Sequence, residues 1–237
     1  MPVRWIIFDA VGTLMYPSPS PGRAYWQIGL RHGTRLSEDE ITQRFRTVFH
    51  RSEQEDMEGP GSHLVTSEAI ERRRWQRIVA EVLDDVTNSA ACFEELFQHF
   101  ALSQSWQCFP DVTTTLQDLR SAGYRLGIAS NFDGRLHAVC DAFPELEPLE
   151  IKIVSAEIGH RKPGLPFFRE VERAAECSPA ELLMVGDDFE NDVAGARQAG
   201  WQAVQISRRD PTPTGAITDL RQLLEHLPSG AGFPACH

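Results

Sequence analysis

The chain has 237 residues, of which 41% are hydrophobic and 24% are charged, so its size and composition are those of a globular protein with one or two domains. Acidic residues outnumber basic ones by 34 to 23, giving a net charge of −11, and this charge disfavours binding to nucleic acid or to an anionic membrane. No stretch approaches the roughly 20 apolar residues of a membrane-spanning helix. No signal-peptide pattern precedes the first strand, so we expect a cytoplasmic protein with neither nucleic acid nor membrane as a partner.

The five cysteines are odd in number and scattered along the chain, and no two of them have a C-x-x-C spacing. This pattern predicts reduced thiols, and it argues against a disulfide framework or a zinc site.

The first half of the chain predicts one strand followed by helices. Residues 3–9 form an apolar run that ends in an aspartate, which is typical of a buried strand. Ser37 and Glu40 have the spacing of a capping box at a helix start. Helices are predicted over residues 22–32, 37–52, 66–84 and 90–102. The basic run Arg72–Arg74 falls in the third of these, where we expect a solvated face.

After Pro110 the pattern changes to helices that alternate with strands. Strands are predicted over residues 125–129, 151–154, 182–185 and 201–206. Helices are predicted over residues 111–122, 133–142, 165–176 and 191–200. This alternation indicates an α/β protein whose core is a Rossmann-like, doubly wound parallel sheet with an inserted all-helical cap domain. The predicted boundaries are 1–16 and 109–237 for the core and 17–108 for the cap.

Polar residues follow the predicted strands or precede the helices at four places. They are Asp9, Ser130, Asn131, Lys162, Asp187, Asp188 and Asp192. Taken singly, an Asp or Ser at a strand end is more often a cap or turn residue than a catalyst. Because ligands of open parallel sheets bind beyond the carboxyl ends of the strands, the four places together predict one site.

These segments resemble the four motifs of the haloacid dehalogenase superfamily, whose members are mostly phosphohydrolases. The likeness extends to the haloacid dehalogenase-like hydrolase domain-containing proteins, which carry a helical cap. The first motif, Asp-x-x-Gly-Thr, is matched by residues 9–13, and the second, a Ser at a strand end, by Ser130. Lys162-Pro163 matches the third motif, and Gly186-Asp187-Asp188 with Asp192 matches the fourth.

The resemblance implies a role for each matched residue. Asp9 is expected to be the nucleophile that forms an aspartyl-phosphate, and Lys162 is expected to neutralise Asp9 and the phosphoryl oxygens. The residues expected to bind phosphate or substrate are Ser130, Asn131, Lys162, Gly12, Thr13 and, at the start of the cap, Arg23. Among these, Gly12 lets the chain turn sharply out of the strand, and Thr13 braces the loop.

The implied cofactor is Mg²⁺, because neighbouring carboxylates repel one another unless a cation lies between them and Mg²⁺ prefers oxygen ligands. By the resemblance, the metal ligands are Asp9, the backbone carbonyl of Val11, Asp187 and Asp192. Asp188 is expected to lie nearby.

The resemblance breaks at Val11. Phosphatases of this family carry a second Asp two residues after the nucleophile, which protonates the leaving oxygen and then activates a water. Val11 can do neither, and the loss of a positioned acid-base group commonly removes about 10²–10⁴ in rate. Whether a cap side chain such as His63 supplies the missing acid stays open.

Three functions therefore remain. The first is a Mg²⁺-dependent phosphohydrolase that acts on a small phosphorylated metabolite, with weak activity or a restriction to good leaving groups. The second is a binding or regulatory member of the family with little turnover, and the third is a metal-independent 2-haloacid dehalogenase. A phosphonatase is excluded, because its mechanism needs a cap lysine and both lysines, Lys152 and Lys162, lie outside the predicted cap. We expect a monomer or a homodimer.

Overall fold

A five-stranded parallel sheet lies at the centre of the computed structural model, which describes residues 2–58 and 64–227. The strands of the chain are β1 (Trp5–Phe8), β2 (Met15–Pro17), β3 (Trp106–Cys108), β4 (Arg125–Ser130), β5 (Ile151–Val154), β6 (Leu182–Gly186) and β7 (Gln202–Gln205). The sheet order is β5-β4-β1-β6-β7, and every neighbouring pair is parallel. The predicted α/β, Rossmann-like fold is confirmed.

Helices precede, follow and connect these strands. They are α1 (Pro21–Arg31), α2 (Glu38–Glu58), α3 (Glu68–Val82), α4 (Ser89–His99), α5 (Val112–Ser121), α6 (Arg135–Asp141), α7 (Ser155–Ile158), α8 (Leu165–Ala175), α9 (Gly195–Gln198) and α10 (Leu223–His226). A π-helical turn, Phe189–Ala194, leads into α9. Across residues 2–58 and 64–227, no helix combines the length and the apolar character needed to cross a membrane.

The central strand β1 places side chains in two separate cores. Ile6 and Phe8 belong to a cluster on one face of the sheet, whereas Trp5 and Ile7 belong to a cluster on the other face, which α8 covers. All four side chains are fully buried or nearly so, as expected of a strand with helices on both faces. This burial fixes the point at which β1 ends, and therefore the position of the residue that follows it.

Helices α1 to α4 form a helical insert (residues 21–58 and 68–99) with a core of its own. Tyr25, Ile41, Ile78 and Phe93 are among the buried residues of this third cluster. The capping box predicted at the start of α2 is present, since Ser37 N donates to Glu40 Oε2 at 2.8 Å and Glu40 N donates to Ser37 Oγ at 3.3 Å. The exact boundaries 17–108 of the cap stay a prediction.

Two short strands were absent from the sequence expectations. Strands β2 and β3 pair antiparallel, with Met15 opposite Cys108. They lie where the chain enters and leaves the helical insert, so the two connections form a paired ribbon. Strands of three residues are too short to show a period-2 pattern, which is why the sequence did not predict them.

Four of the five cysteines lie in the described residues and are free thiols, namely Cys92, Cys108, Cys140 and Cys177. This agrees with the prediction of reduced cysteines. Cys236 and the candidate acid His63 lie outside the described residues.

Candidate active site

Asp9 lies directly after β1, at the carboxyl edge of the sheet, and contacts a buried lysine. Lys162 Nζ donates to Asp9 Oδ1 at 2.7 Å, to Asp192 Oδ1 at 2.5 Å and to the carbonyl oxygen of Ala129 at 3.0 Å. Burial opposes the charged form of Lys162, but the charges of Asp192 and Asp9 offset this and raise its pKa. The ammonium group is therefore held charged between two carboxylates.

The end of β4 supplies two further polar groups at the same place. Ser130 Oγ donates to Asp9 Oδ1 at 3.0 Å, so both Ser130 and Lys162 hold the same carboxylate oxygen. Asn131 contacts the backbone of Lys162 on both sides, because Lys162 N donates to Asn131 Oδ1 at 2.8 Å and Asn131 Nδ2 donates to the Lys162 carbonyl at 3.0 Å. The Asn131 side chain is thus committed to positioning the backbone of Lys162.

Three carboxylates converge at this edge of the sheet. One oxygen each of Asp9, Asp187 and Asp192 lies within 4.8 Å of the others. Burial, followed by the charges of Asp9 and Asp192, raises the pKa of Asp187 to about 8. Burial also raises the pKa of Asp192 to about 7, against the opposing effect of Lys162. The cluster holds more negative charge than one lysine can compensate.

The donor set fits Mg²⁺. All three side chains offer carboxylate oxygens, which are the ligands that this hard cation prefers, and Mg²⁺ sites in proteins commonly combine one or two carboxylates with substrate phosphate and water. Burial, together with repulsion between the carboxylates, raises the pKa values of Asp187 and Asp192, and a divalent cation would offset both effects. Asp9, Asp187 and Asp192 are the side chains that would hold it, and Lys162 already lies between Asp9 and Asp192.

The loop after β1 is shaped by a close approach of backbone to carboxylate. Gly12 has φ +88°, and a Cβ at this position would lie 2.4 Å from Asp187 Oδ2. Only glycine therefore allows Asp187 to reach this loop.

Val11 is half-buried and its side chain packs against the main core. Thr13 is fully buried, and its carbonyl accepts a hydrogen bond from Arg208 Nη2 at 2.9 Å.

Asp192 is aimed at Lys162 by the π-helical turn. The Asp188 N–H donates to Asp192 Oδ2 at 3.1 Å, and the Asn191 N–H donates to Asp188 Oδ1 at 2.9 Å. The sequence predicted an ordinary helix from residue 191. The wider turn begins two residues earlier, and such single π-turns are frequent at functional sites.

A cleft of about 480 Å³ leads to Lys162 from between α2 and the core. Its lining includes Phe49, His50, Glu53, Lys162, Asp188, Asn191 and Arg209. The predicted substrate residue Arg23 is exposed on α1 and is not among the residues that line this cleft.

One sequence expectation is wrong: Arg74 is not on a solvated face. It is only 8% exposed and, with Arg161, forms ion pairs with Glu53 and Glu71. Arg161 directly precedes Lys162, and the sequence analysis did not single it out. Glu53 and Arg161 are 108 residues apart, so no spacing pattern could connect them.

Comparisons with known proteins show which family and which relatives the chain is similar to. The sequence model of one family, haloacid dehalogenase-like hydrolase, matches residues 3–200. The chain is 28% identical over 241 residues to haloacid dehalogenase-like hydrolase domain-containing protein 3 of Homo sapiens, covering 96% of this chain and 93% of the relative.

Two further relatives are informative. The chain is 36% identical over 136 residues to glyceraldehyde 3-phosphate phosphatase of Methanothermobacter thermautotrophicus, covering 50% of this chain and 58% of the relative. The crystal structure of a HAD-hydrolase from Bacillus subtilis, bound to magnesium, superimposes with a TM-score of 0.74 at 19% identity, covering 96% of this chain and 99% of that one. At this low identity the superposition shows a shared fold.

Proposed function

The chain belongs to the haloacid dehalogenase-like hydrolase family, and on this premise we propose that it is a Mg²⁺-dependent phosphohydrolase that acts on a small phosphorylated metabolite through an aspartyl-phosphate on Asp9. The observation that carries the proposal is the buried contact of Lys162 Nζ with Asp9 Oδ1 at 2.7 Å, beside the carboxylates of Asp187 and Asp192. A carboxylate nucleophile, a fixed cation and a metal-binding pair of acids are the groups that phosphoryl transfer requires.

In the first step, Asp9 attacks the phosphorus atom. Lys162 and Ser130 both donate to Oδ1, so Oδ2 is the oxygen left to form the new P–O bond. The bond from phosphorus to the leaving oxygen breaks, and its electron pair departs with that oxygen. Water then attacks the phosphorus of the aspartyl-phosphate and the bond from phosphorus to the Asp9 oxygen breaks, which restores the carboxylate and releases inorganic phosphate that carries the protons of the water. When bound, Mg²⁺ neutralises charge that develops on the phosphoryl oxygens.

Val11 restricts this chemistry to good leaving groups. A leaving oxygen of low basicity, as in an aryl or acyl phosphate, departs without a proton, whereas an alkoxide requires an acid. The Val11 side chain packs against apolar residues and offers no proton. We therefore expect slow hydrolysis of alkyl phosphates.

The relatives support a phosphatase. One of them is named a glyceraldehyde 3-phosphate phosphatase, whereas the solved structures of the same fold include a magnesium-bound hydrolase and also dehalogenases, and they support the fold alone. A 2-haloacid dehalogenase is less well supported, because the substrate carboxylate would have to approach the acidic cluster of Asp9, Asp187 and Asp192. A binding protein with little turnover is the second candidate, and the valine at position 11 is the observation that favours it.

The test is turnover of p-nitrophenyl phosphate by the wild type, with Mg²⁺ and with EDTA, and with Asp9→Asn as the blank. This substrate has a good leaving group, so it tests the nucleophile and the metal without demanding an acid at position 11. We expect Mg²⁺-dependent release of p-nitrophenol that the blank lacks. Turnover equal to that of the blank would overturn the phosphohydrolase proposal.

A further inference from the structure

A buried ion network connects the helical insert to the residue before Lys162. It consists of two arginines and two glutamates, namely Arg74, Arg161, Glu53 and Glu71. Arg161 is 6% exposed and Glu71 is 4% exposed. The Glu53 side chain, at 27% exposed, is the most accessible member, and it lines the cleft that leads to Lys162.

Each glutamate of the network contacts both arginines. Arg161 Nη2 donates to Glu53 Oε1 at 3.2 Å, and Arg161 Nη1 lies 3.6 Å from Glu71 Oε1. Arg74 pairs with Glu53 and lies 3.6 Å from Glu71. Glu71 is also held by Thr66, whose hydroxyl donates to Glu71 Oε1 at 2.6 Å. The guanidinium group of Arg161 is therefore fixed by carboxylates of α2 and α3.

The backbone around Arg161 is held by the same part of the chain. Arg161 N donates to the carbonyl oxygen of Leu64 at 2.7 Å, and Thr66 N donates to the carbonyl oxygen of Gly159 at 3.0 Å. The main chain of Arg161 is thus bound by the segment that leads into α3, and its side chain is bound by glutamates of α2 and α3.

The next residue along the chain, Lys162, is held by other residues of the candidate active site. Asn131 contacts the backbone of Lys162 at 2.8 and 3.0 Å, and Lys162 Nζ reaches Asp9. One peptide bond therefore separates a residue held by the helical insert from the residue that supplies the cation of the site.

A gain in stability does not by itself explain why the fold contains such a buried ion network. Taking charged groups out of water costs free energy that their attraction repays only in part, and apolar residues of similar volume often stabilise a fold as well or better. A function that depends on fixed geometry is a better reason.

We propose that Arg161 is a positioning residue through which docking of the helical insert sets the place of Lys162. Glu53 and Glu71 hold Arg161 when α2 and α3 lie against the core, and the backbone of Lys162 then directs its ammonium group to Asp9. The inference rests on the proposed phosphohydrolase, because it concerns the efficiency of the Asp9 reaction.

The test uses Glu71→Gln, which removes the charge of Glu71 and keeps the shape of its side chain. Glu71 is not among the residues that line the cleft. The matched control is Glu81→Gln on the same helix, because Glu81 pairs with Arg51 of α2 at the surface. We expect Glu71→Gln to lower kcat for p-nitrophenyl phosphate by about 10²-fold, as small misplacements of catalytic groups do, with a much smaller change in KM. Glu81→Gln should leave both values unchanged.

A second measurement does not depend on turnover. Hydrogen exchange of the Lys162 amide, which donates to Asn131, should become faster in Glu71→Gln and stay slow in Glu81→Gln. Should Glu71→Gln not fold, Arg161→Lys serves in its place, because its shorter ammonium side chain keeps the charge but cannot contact both glutamates. The same losses are expected from it.

The outcomes distinguish the positioning role of Arg161 from the proposed phosphohydrolase function. Loss of kcat together with faster exchange at Lys162 supports the positioning role. Unchanged exchange overturns it, and so does faster exchange with an unchanged kcat. A wild type without activity above the Asp9→Asn blank overturns the proposed function, and the exchange of Lys162 alone then decides whether the insert and the site are coupled.

Discussion

Val11 lies where phosphatases of the family carry an acid, so a substitution at this position tests the proposed chemistry of the site. The residue lies two places after Asp9, half-buried against the core, and the backbone of its loop is held by a hydrogen bond from Gly12 N to the carbonyl oxygen of Met15 at 2.8 Å. A carboxylate introduced here starts from a fixed backbone beside Asp9, the proposed nucleophile. The position can therefore be tested by a single substitution.

We expect Val11→Asp to raise the rate of alkyl phosphate hydrolysis by about 10²-fold, because it supplies an acid for the leaving oxygen and a base for the water. The rate with p-nitrophenyl phosphate should rise much less. Steady-state kinetics with both substrates checks this. Val11→Asn is the matched control, since it has nearly the same shape but no titratable proton, and equal rates for the two variants would contradict the prediction.

Gly12 allows Asp187 to approach the loop. The substituent of Gly12→Ala would lie 2.4 Å from Asp187 Oδ2, so the carboxylate must move. We expect the affinity of this variant for Mg²⁺ to be lower by about 10-fold or more, because substitutions that disturb the orientation of a metal ligand have effects of this size. Calorimetric titration with Mg²⁺ measures the effect.

The control for Gly12→Ala is Gly215→Ala. Gly215 has φ +84°, close to the +88° of Gly12, but a Cβ there meets nothing within 4 Å. Both variants carry the same backbone strain, and only Gly12→Ala carries the clash. Equal loss of Mg²⁺ affinity in the two variants would show that strain, and not the displaced carboxylate, is responsible.

Among the elements, the loops at the carboxyl edge of the sheet are joined by a buried ion pair. Arg208, which follows β7, donates to Asp111 Oδ2 at 2.7 Å and to Asp111 Oδ1 at 3.0 Å. It also donates to the carbonyl oxygen of Thr13 at 2.9 Å. The Leu220 N–H donates to the same carboxylate at 2.7 Å. This pair thus connects the start of α5, the loop after β1 and the C-terminal part of the fold.

We expect Arg208→Met to lower the free energy of unfolding by about 3–5 kcal/mol, because it leaves the Asp111 carboxylate buried without its cation. Arg120→Met is the matched control: Arg120 pairs with Glu147 at 3.0 Å, but both side chains are more than half exposed. Arg120→Met should lower the free energy of unfolding by no more than about 1 kcal/mol. Urea unfolding measures both, and equal losses would contradict the role assigned to the buried pair.

For the whole molecule, we predict that the acidic cluster of Asp9, Asp187 and Asp192 makes the free energy of unfolding depend on pH and on Mg²⁺. Without metal, the pKa of Asp187 is raised to about 8 and that of Asp192 to about 7, against about 4 in the unfolded chain. The folded protein therefore keeps protons that the unfolded chain has lost between about pH 4 and pH 8. Its free energy of unfolding should fall as the pH rises through this window.

Mg²⁺ binds the deprotonated carboxylates, so the rise in Tm that it causes should be larger at pH 8 than at pH 6. Thermal unfolding with Mg²⁺ and with EDTA at both pH values checks this. Asp187→Asn is the control and should abolish most of the Mg²⁺-dependent rise. A rise of equal size at both pH values in the wild type would contradict a site built on raised carboxylate pKa values.

The sequence by itself determined the order of the five strands of the parallel sheet and of the longer helices, and it predicted the members of the candidate site. Short-range signals carried this information: the apolar run that ends at Asp9, the motif around Lys162, and the acidic turn from Asp187 to Asp192. Parallel strands bring such residues to one edge of a sheet, so their convergence followed from the topology.

Only the tertiary structure decided which charged residues are buried together. Arg208 and Asp111 are 97 residues apart, and Arg161 and Glu53 are 108 residues apart. The tertiary structure also buried Arg74, which the sequence suggested was solvated. No periodicity or spacing relates residues at such distances, because a helix or strand pattern reports only which face of one element is apolar. The packing of the helical insert against the rest of the chain creates the pair of Arg161 with Glu53, and with it the connection between the insert and Lys162.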